Sequence, residues 1–507
     1  LLPGLASSLA LILYTELILI LLNAFDITLT LPGIAGIILG IGMAVDANVI
    51  IFARVKEELT AGKSVHASLK SGFQKAMSAI VDGNITTLIA AGVLWLRGSG
   101  TVKGFAQTLA LGIVVSMFTA LVITRLIIFA FYGAGIHNEK VYGRHLKERK
   151  PVDFLGKKKI FFVISIILCL AGPVMMGVNH ARGIGAMNYS LDFVGGTSTN
   201  VTFDKEYTLE EIDSQMIPSL EEITGDKNIQ VQTVKDSNQV VFKTQTLDLE
   251  KREALASYLN ENYGVEVSDI ATENISSTVS SEMRRDAVIA VIIATICMLL
   301  YIWFRFKDIR FATSAVVALM HDVLVVLGFY VIARVSVGNT FIACMLTIVG
   351  YSINGTIVIF DRIREALATK SRTEDLKDLV NRCITQTLTR TIYTNFTTFV
   401  MVVALYILGV SSIKEFAAPL MVGIICGGYT SVCITGALWY VMKTRLGEEA
   451  KAARAASGTK AVSVKAADKK EGTTSTESNA ADTSADDSSK KKKGKKTSFK
   501  NKKSKKR

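Results

Sequence analysis

Apolar residues crowd into ten long stretches of the chain, at about 5–24, 33–53, 78–97, 105–133, 158–178, 286–304, 311–333, 339–360, 390–408 and 416–442. A hydrocarbon core of roughly 30 Å takes about 20 residues of helix to cross, and each stretch is of that order. The stretches are too long and too uniform for barrel strands, and a helix is the other way a backbone satisfies its polar groups in lipid. The pattern therefore predicts a polytopic α-helical membrane protein of about ten transmembrane helices. Lys and Arg collect at 53–75, 137–159, 305–310 and 361–382. These segments alternate correctly with the spans if all four face the cytoplasm. The short loops near 25–31, 97–104, 334–338 and 409–414 then face outside.

One polar interval, 180–283, is too long for a loop. It reads as strand "GTSTNVTF", helix "TLEEIDSQMIPSLEEIT", strands "IQVQTV" and "QVVFKT" joined by a "KDSN" turn, helix "LEKREALASYLNENY" and strand "VEVSDIATENI". The order βαββαβ predicts a small exterior ferredoxin-like α+β domain. No catalytic constellation stands out in it. The expected layout is a membrane half at 1–135 with four helices, a cytoplasmic linker at 136–157, a helix at 158–179, the exterior domain at 180–283, five further helices at 284–443 and a disordered basic tail at 444–507.

Composition agrees with a membrane protein: 50% of the 507 residues are hydrophobic and the mean hydropathy is +0.38. Much of the net charge of +13 lies beyond residue 443, where 19 Lys and Arg face 8 Asp and Glu. That segment lacks the large apolar residues a core needs. It is either a solvated cytoplasmic tail or one that touches anionic lipid or ribosomal RNA without sequence preference. No specific nucleic acid is expected as a partner. Leu1 is not an initiator methionine and no signal peptide precedes the first span, so the expectation is part of a longer product. The cysteines (Cys169, Cys297, Cys344, Cys383, Cys426 and Cys433) form no CxxC pair, so neither disulfides nor a metal site is expected. There is no GxxxxGK[ST] loop. No cofactor and no enzymatic activity are expected.

Two stretches resemble each other. "VDANVIIFARVKEEL" at 45–59 aligns with "INGTIVIFDRIREAL" at 353–367, an offset of 308, and "NITTLI" from Asn84 aligns with "NFTTFV" from Asn395. The membrane portion is thus two halves in parallel repeat, an arrangement that places functional groups where the halves meet. In the first half, Gly36, Gly40, Ala44 and Asn48 share one helix face, and Gly42 stands four residues before Asp46 on a neighbouring one. Small residues let helices approach closely, so this side packs on protein. Asp46 lies about 20 Å past Gly33 at 1.5 Å per residue. An ionised carboxylate at that depth is costly. It is either a proton carrier, neutral when dry and charged beside water or a cation, or a permanently neutral group bonding two helices. Arg390 is either its counter-ion or an arginine that snorkels to the interface. Asp82 is either a helix-start cap or a relay member. His321 and Asp322 are also mid-span, and as adjacent residues at most one of them points at Asp46.

"LTLPGIAGIILGIGMAVDANVIIFARVKEEL", "VDGNITTLIAAGVL" and "VKGFAQTLALGIVVSMFTALVITR" resemble the membrane half of SecD. "MNYSLDFVGGTSTNVTF", "VGYSINGTIVIFDRIRE" and "TQTLTRTIYTNFTTF" resemble SecF. The resemblance covers residues 1 to about 443 and is to a SecD–SecF fusion lacking the N-terminal part of SecD, within the resistance-nodulation-division superfamily. It implies an accessory of the Sec machinery in the bacterial cytoplasmic membrane that uses a proton or sodium gradient to promote protein export. The implied partners are the Sec channel (SecY, SecE and SecG), exported unfolded proteins and membrane lipids. A lipid or small-molecule exporter of the same superfamily is the alternative. The family's charged membrane residues fall on Asp46, Asp82 and Arg390. Its SecF pattern "SIND[TS]" reads "SINGT" here, so Asn354 is kept and Gly355 stands where an aspartate is usual. Either Asp46 with Arg390 suffices, or Asp322 substitutes for that carboxylate, or the coupling ion or stoichiometry differs.

Overall fold

A computed structural model describes residues 1–98, 100–143, 150–226, 229–233, 238–371, 374–409 and 411–446. The basic tail from Gly447, residues 235–237 of the expected turn and linker residues 144–149 lie outside them. Among the described residues, ten helices are long and apolar enough to cross a membrane.

Helix α1 (Leu2–Ala24) leads into α2 (Leu31–Thr60), whose start is set by Thr30 accepting a hydrogen bond from Gly33 N at 3.1 Å and by proline in the first turn. Ser64 caps α3 (Val65–Arg97) in the same way. The fourth span is α4 (Gly100–Phe118), a π-helical turn at Thr119–Ile123, and α5 (Thr124–Gly133). A short helix α6 (Glu139–Tyr142) follows, then α7 (Lys158–Ala181). Residues 152–155 clip onto the start of a later helix: Leu155 N donates to Asn381 Oδ1 and Val152 N to Thr385 Oγ1, both at 3.0 Å. Asp153 joins the clip through Lys377 at 3.0 Å. The Gly156 N–H, then Lys377 and Asn381, hold the Asp153 carboxyl below the usual range. The clip is therefore intact at neutral pH and loosens as pH falls through that lowered value.

The polar interval holds α8 (Leu191–Val194), β1 (Gly196–Thr202), α9 (Leu209–Gln215), α10 (Ile217–Thr224), β2 (Gln230–Thr233), β3 (Gln239–Thr244), α11 (Leu249–Tyr263) and β4 (Ile270–Ile275). The sheet order is β2-β3-β1-β4 with every pair antiparallel, the ferredoxin-like arrangement. The one helix expected before β2 is two, broken at Met216 with Pro218 in the first turn of α10. A capping box of Thr208 and Glu211 starts α9, and Gly264 ends α11 in the left-handed region at φ 68°. The core of Val201, Phe203, Met216, Leu220, Phe242, Leu255 and Leu259 uses no residue from the membrane helices. Residues 180–283 expressed alone are therefore expected to give a dispersed amide spectrum. A collapsed spectrum would show that the domain folds only on the membrane helices.

The chain then returns through α12 (Ser277–Phe306), α13 (Ile309–Ile332), α14 (Asn339–Ala368) and α15 (Leu376–Leu408). The last span is α16 (Ser411–Tyr429), a π-helical turn at Thr430–Thr435, and α17 (Gly436–Val441). Of the apolar stretch of α14, 89% is buried against 11% for α7, so α14 is central and α7 is peripheral. Glycines permit the closest approaches. Gly172 of α7 meets Gly328 of α13, where a Cβ added at Gly172 would sit 2.8 Å from the Gly328 Cα.

Candidate ion-relay site

The two halves meet through reciprocal contacts. Helix α2 packs on α15 and α14 packs on α3. Thr87 Oγ1 donates to Gly350 O at 3.2 Å, and Thr398 lies against Gly42. Gly42 and Gly350 are 308 residues apart, the spacing of the repeat, and Thr87 and Thr398 are 311 apart, the spacing of Asn84 and Asn395. Each contact is thus the repeat image of the other.

Asp46 sits on this pseudo-symmetry. It is the sixteenth residue of the thirty in α2 and 5% exposed. Asn354 Nδ2, its own repeat equivalent, donates to its Oδ2 at 3.0 Å. A cavity of about 20 Å³, room for about one water, is lined by Asp46, Tyr351, Asn354, Gly355, Arg390 and Thr394 among others. A second, of about 10 Å³, also touches Asp46 and Asn354 and is bordered by Gly83, Asn84 and Thr87. Asp46 Oδ1, Asn354 Oδ1 and Arg390 Nη2 are buried without a protein hydrogen-bond partner. Arg390 thus borders the Asp46 cavity, but no ion pair joins the two. Atoms of this kind are satisfied by water or by a change of protonation.

The other residues singled out from the sequence divide into groups. Asn48 is 5% exposed and turns back on its own helix, Nδ2 to Ala44 O at 3.2 Å. Asn84 does the same to Ile80 O at 2.8 Å. Gly42 provides close contact with α15, and Gly355 faces Ser431 on the π-helical turn, where a Cβ would sit 3.2 Å from the Ser431 hydroxyl oxygen. Asp82 is no helix-start cap: it lies well inside α3, which starts at Val65. It accepts from Tyr301 Oη at 2.8 Å and from Arg305 Nε at 2.7 Å, and Arg305 Nη2 also reaches it at 2.6 Å. Asp322 is fully buried behind Ser352 and does not line either Asp46 cavity, nor does His321.

Sequence reasoning missed Arg305, Tyr301, Ser352, Cys426 and Thr430. Tyr301 and Arg305 did carry a signal, since a spacing of four puts both on one face at the end of an apolar run. The other three are small polar residues of a kind frequent in membrane helices, and only contact with Asp322 sets them apart.

Residues 4–133 and 255–445 match the family model described as protein export membrane protein SecD/SecF, C-terminal. The protein translocase subunit SecDF of Bacillus subtilis is 36% identical over 465 residues, 88% of this chain and 61% of that protein. The protein translocase subunit SecF of Calditerrivibrio nitroreducens is 36% identical over 59% of this chain and 96% of its own length. The crystal structure of SecDF from Thermus thermophilus, described as a translocon-associated membrane protein, superposes with a TM-score of 0.77 at 36% identity, covering 88% of this chain and 59% of that one. The chain thus spans about three fifths of the length of these fused relatives.

Proposed function

Because the chain belongs to the SecD/SecF family of protein export membrane proteins, we propose that it uses a proton or sodium gradient to promote protein export through the Sec channel. The observation that carries this reading is Asp46: a buried carboxylate where the two repeated halves meet, across a water-sized cavity from Arg390. In the proposed cycle Asp46 takes a proton from the exterior side. Its attraction to Arg390 weakens, the halves rock about the α2–α15 and α3–α14 contacts, and the ferredoxin-like domain changes its hold on the emerging chain. Proton release inside resets the site. One charge crossing about 100 mV supplies about 2.3 kcal/mol, enough to bias two states of similar energy. The protein does no covalent chemistry in this cycle. The domain layout expected from the sequence fits it, with the helices at 158–179 and 284–443 forming the SecF-like half around the domain at 180–283.

The test is export of a secreted reporter into inverted vesicles holding the Sec channel and this protein, with the gradient intact or collapsed by an uncoupler. The protein should raise export only while the gradient stands. Equal stimulation under both conditions overturns the reading in favour of a passive scaffold.

Gly355 offers a sharper probe of the same cavity. Gly355→Asp places a second carboxylate beside Asp46 and Arg390. The new Cβ would meet Ser431 Oγ at 3.2 Å, which can turn away, and Ser431 Cβ at 3.3 Å, which needs the π-helical turn to yield by a few tenths of an ångström. Two carboxylates sharing one cavity titrate in coupled steps. The variant is expected to insert normally and to shift the pH profile of gradient-driven export. An unaltered profile in an inserted variant would place the titrating site away from Gly355.

A further inference from the structure

A buried polar cluster outside the Asp46 cavity joins α13 to α16 and its π-helical turn. His321, Asp322, Cys426 and Thr430 are 6%, 0%, 6% and 1% exposed. Four of their atoms, one from each residue, are mutually in contact. His321 Nδ1 and Cys426 Sγ each lie 3.1 Å from Asp322 Oδ1, and 3.7 Å from each other. Thr430 Oγ1 is 3.4 Å from His321 Nδ1 and 3.9 Å from Cys426 Sγ, and it hydrogen-bonds Asp322 Oδ1. These are the six edges of a tetrahedron.

We propose that His321, Asp322, Cys426 and Thr430 form a tetrahedral binding site for a borderline divalent cation of the zinc class. A regular tetrahedron with edges of roughly 3.4 Å has its centre about 2.1 Å from each corner, close to the zinc distances of about 2.0–2.3 Å to oxygen, nitrogen and sulfur. The donor set of imidazole, carboxylate and thiolate selects zinc-like ions over sodium, magnesium or calcium, which prefer oxygen alone. Charge favours the complex. A dication with the Asp322 carboxylate and the Cys426 thiolate is neutral overall, the state a hydrocarbon interior tolerates best. The thiol proton leaves on binding. Ser352 donates to the other oxygen of Asp322. The single proton of the Thr430 hydroxyl serves Asp322 Oδ1 in the cation-free cluster; with a cation bound it turns to Cys426 O, 2.7 Å away, and leaves a lone pair facing the cation. The π-helical turn beginning at Thr430 belongs to a class of distortion common at functional sites. Ser352 and Gly427 also border the Asp46 cavity, so the cluster lies one side chain behind it and a cation bound there would tie α13 to α16. Without a cation the same atoms are donors and acceptors around Asp322, a plain hydrogen-bond network.

Cobalt(II) distinguishes the two. The full chain, purified in detergent and stripped with a chelator, is titrated with Co²⁺ and followed by visible absorption. The expected result is a single tight equivalent with tetrahedral bands and a thiolate-to-cobalt charge-transfer band, all displaced by Zn²⁺. Cys426→Ser should remove the charge-transfer band, and His321→Gln should weaken binding at least ~10-fold. If Cys426→Ser does not fold, the native spectrum and His321→Gln decide. No tight cobalt on the native protein, or bands unchanged in both variants, overturns the site and leaves the cluster as a hydrogen-bond network.

Discussion

Replacing Asp46 by asparagine is expected to abolish the gradient-dependent part of export while leaving the protein folded and inserted. Asparagine keeps the size of the side chain and an oxygen that still accepts from Asn354 Nδ2, now 3.0 Å away. What it loses is titration. The variant gives up no buried ion pair, since Asp46 and Arg390 border one cavity without direct contact. It removes a buried carboxylate, which favours the fold, but also its attraction to the buried Arg390 across the cavity, which opposes it, so stability should stay close to wild type. Export with the gradient intact should fall to the level seen with the gradient collapsed, while yield and thermal unfolding in detergent stay near wild type. Full gradient-driven export by a well-expressed Asp46→Asn protein would sink the relay role of this residue.

The largest loss of stability is expected from Arg305→Ala. Arg305 ends α12, and Asp82 lies inside α3, so their pair ties the second repeated half to the first. Its guanidinium reaches the carboxylate through Nε and Nη2 and also donates to Ser78 Oγ at 2.6 Å. Removing it leaves the Asp82 side chain, 9% exposed, charged and with Tyr301 and Ser78 as its remaining donors. Breaking a fully buried pair costs about 3–5 kcal/mol. That range is an upper bound here, because the Arg305 side chain is 21% exposed. Thermal unfolding in detergent should show a clear drop for Arg305→Ala and a partial recovery for Asp82→Asn with Arg305→Ala, in which the stranded charge is gone. Arg305→Lys should restore little, because a lysine cannot reproduce the fork. A wild-type melting temperature for Arg305→Ala would mean the pair is a solvent-screened contact.

Legibility in the sequence followed the range of each interaction. All ten spans and the βαββαβ order could be read because hydropathy and strand or helix periodicity repeat over neighbouring residues. The membrane helices extend past the apolar stretches, α2 to Thr60 and α15 back to Leu376, because polar ends continue the backbone ladder beyond the hydrocarbon. The break at Met216 went unread because one turn of helix on either side keeps the same periodicity.

The candidate site divides along the same line. From sequence alone, a carboxylate in the middle of an apolar run marks Asp46, because lipid makes any buried charge expensive wherever the run folds. The repeat at an offset of 308 ties Asp46 to Asn354 as equivalents. That these equivalents touch was decided by the tertiary structure, which packs α2 against α15 and α3 against α14 so that one helix face meets its own image. Tertiary structure also turned Asp82 to Arg305, 223 residues away, and closed His321, Asp322, Cys426 and Thr430 into one cluster across more than a hundred residues. Side-chain contacts of that span leave no periodic trace, since each helix alone presents only one or two of the partners and the geometry exists only when the helices pack.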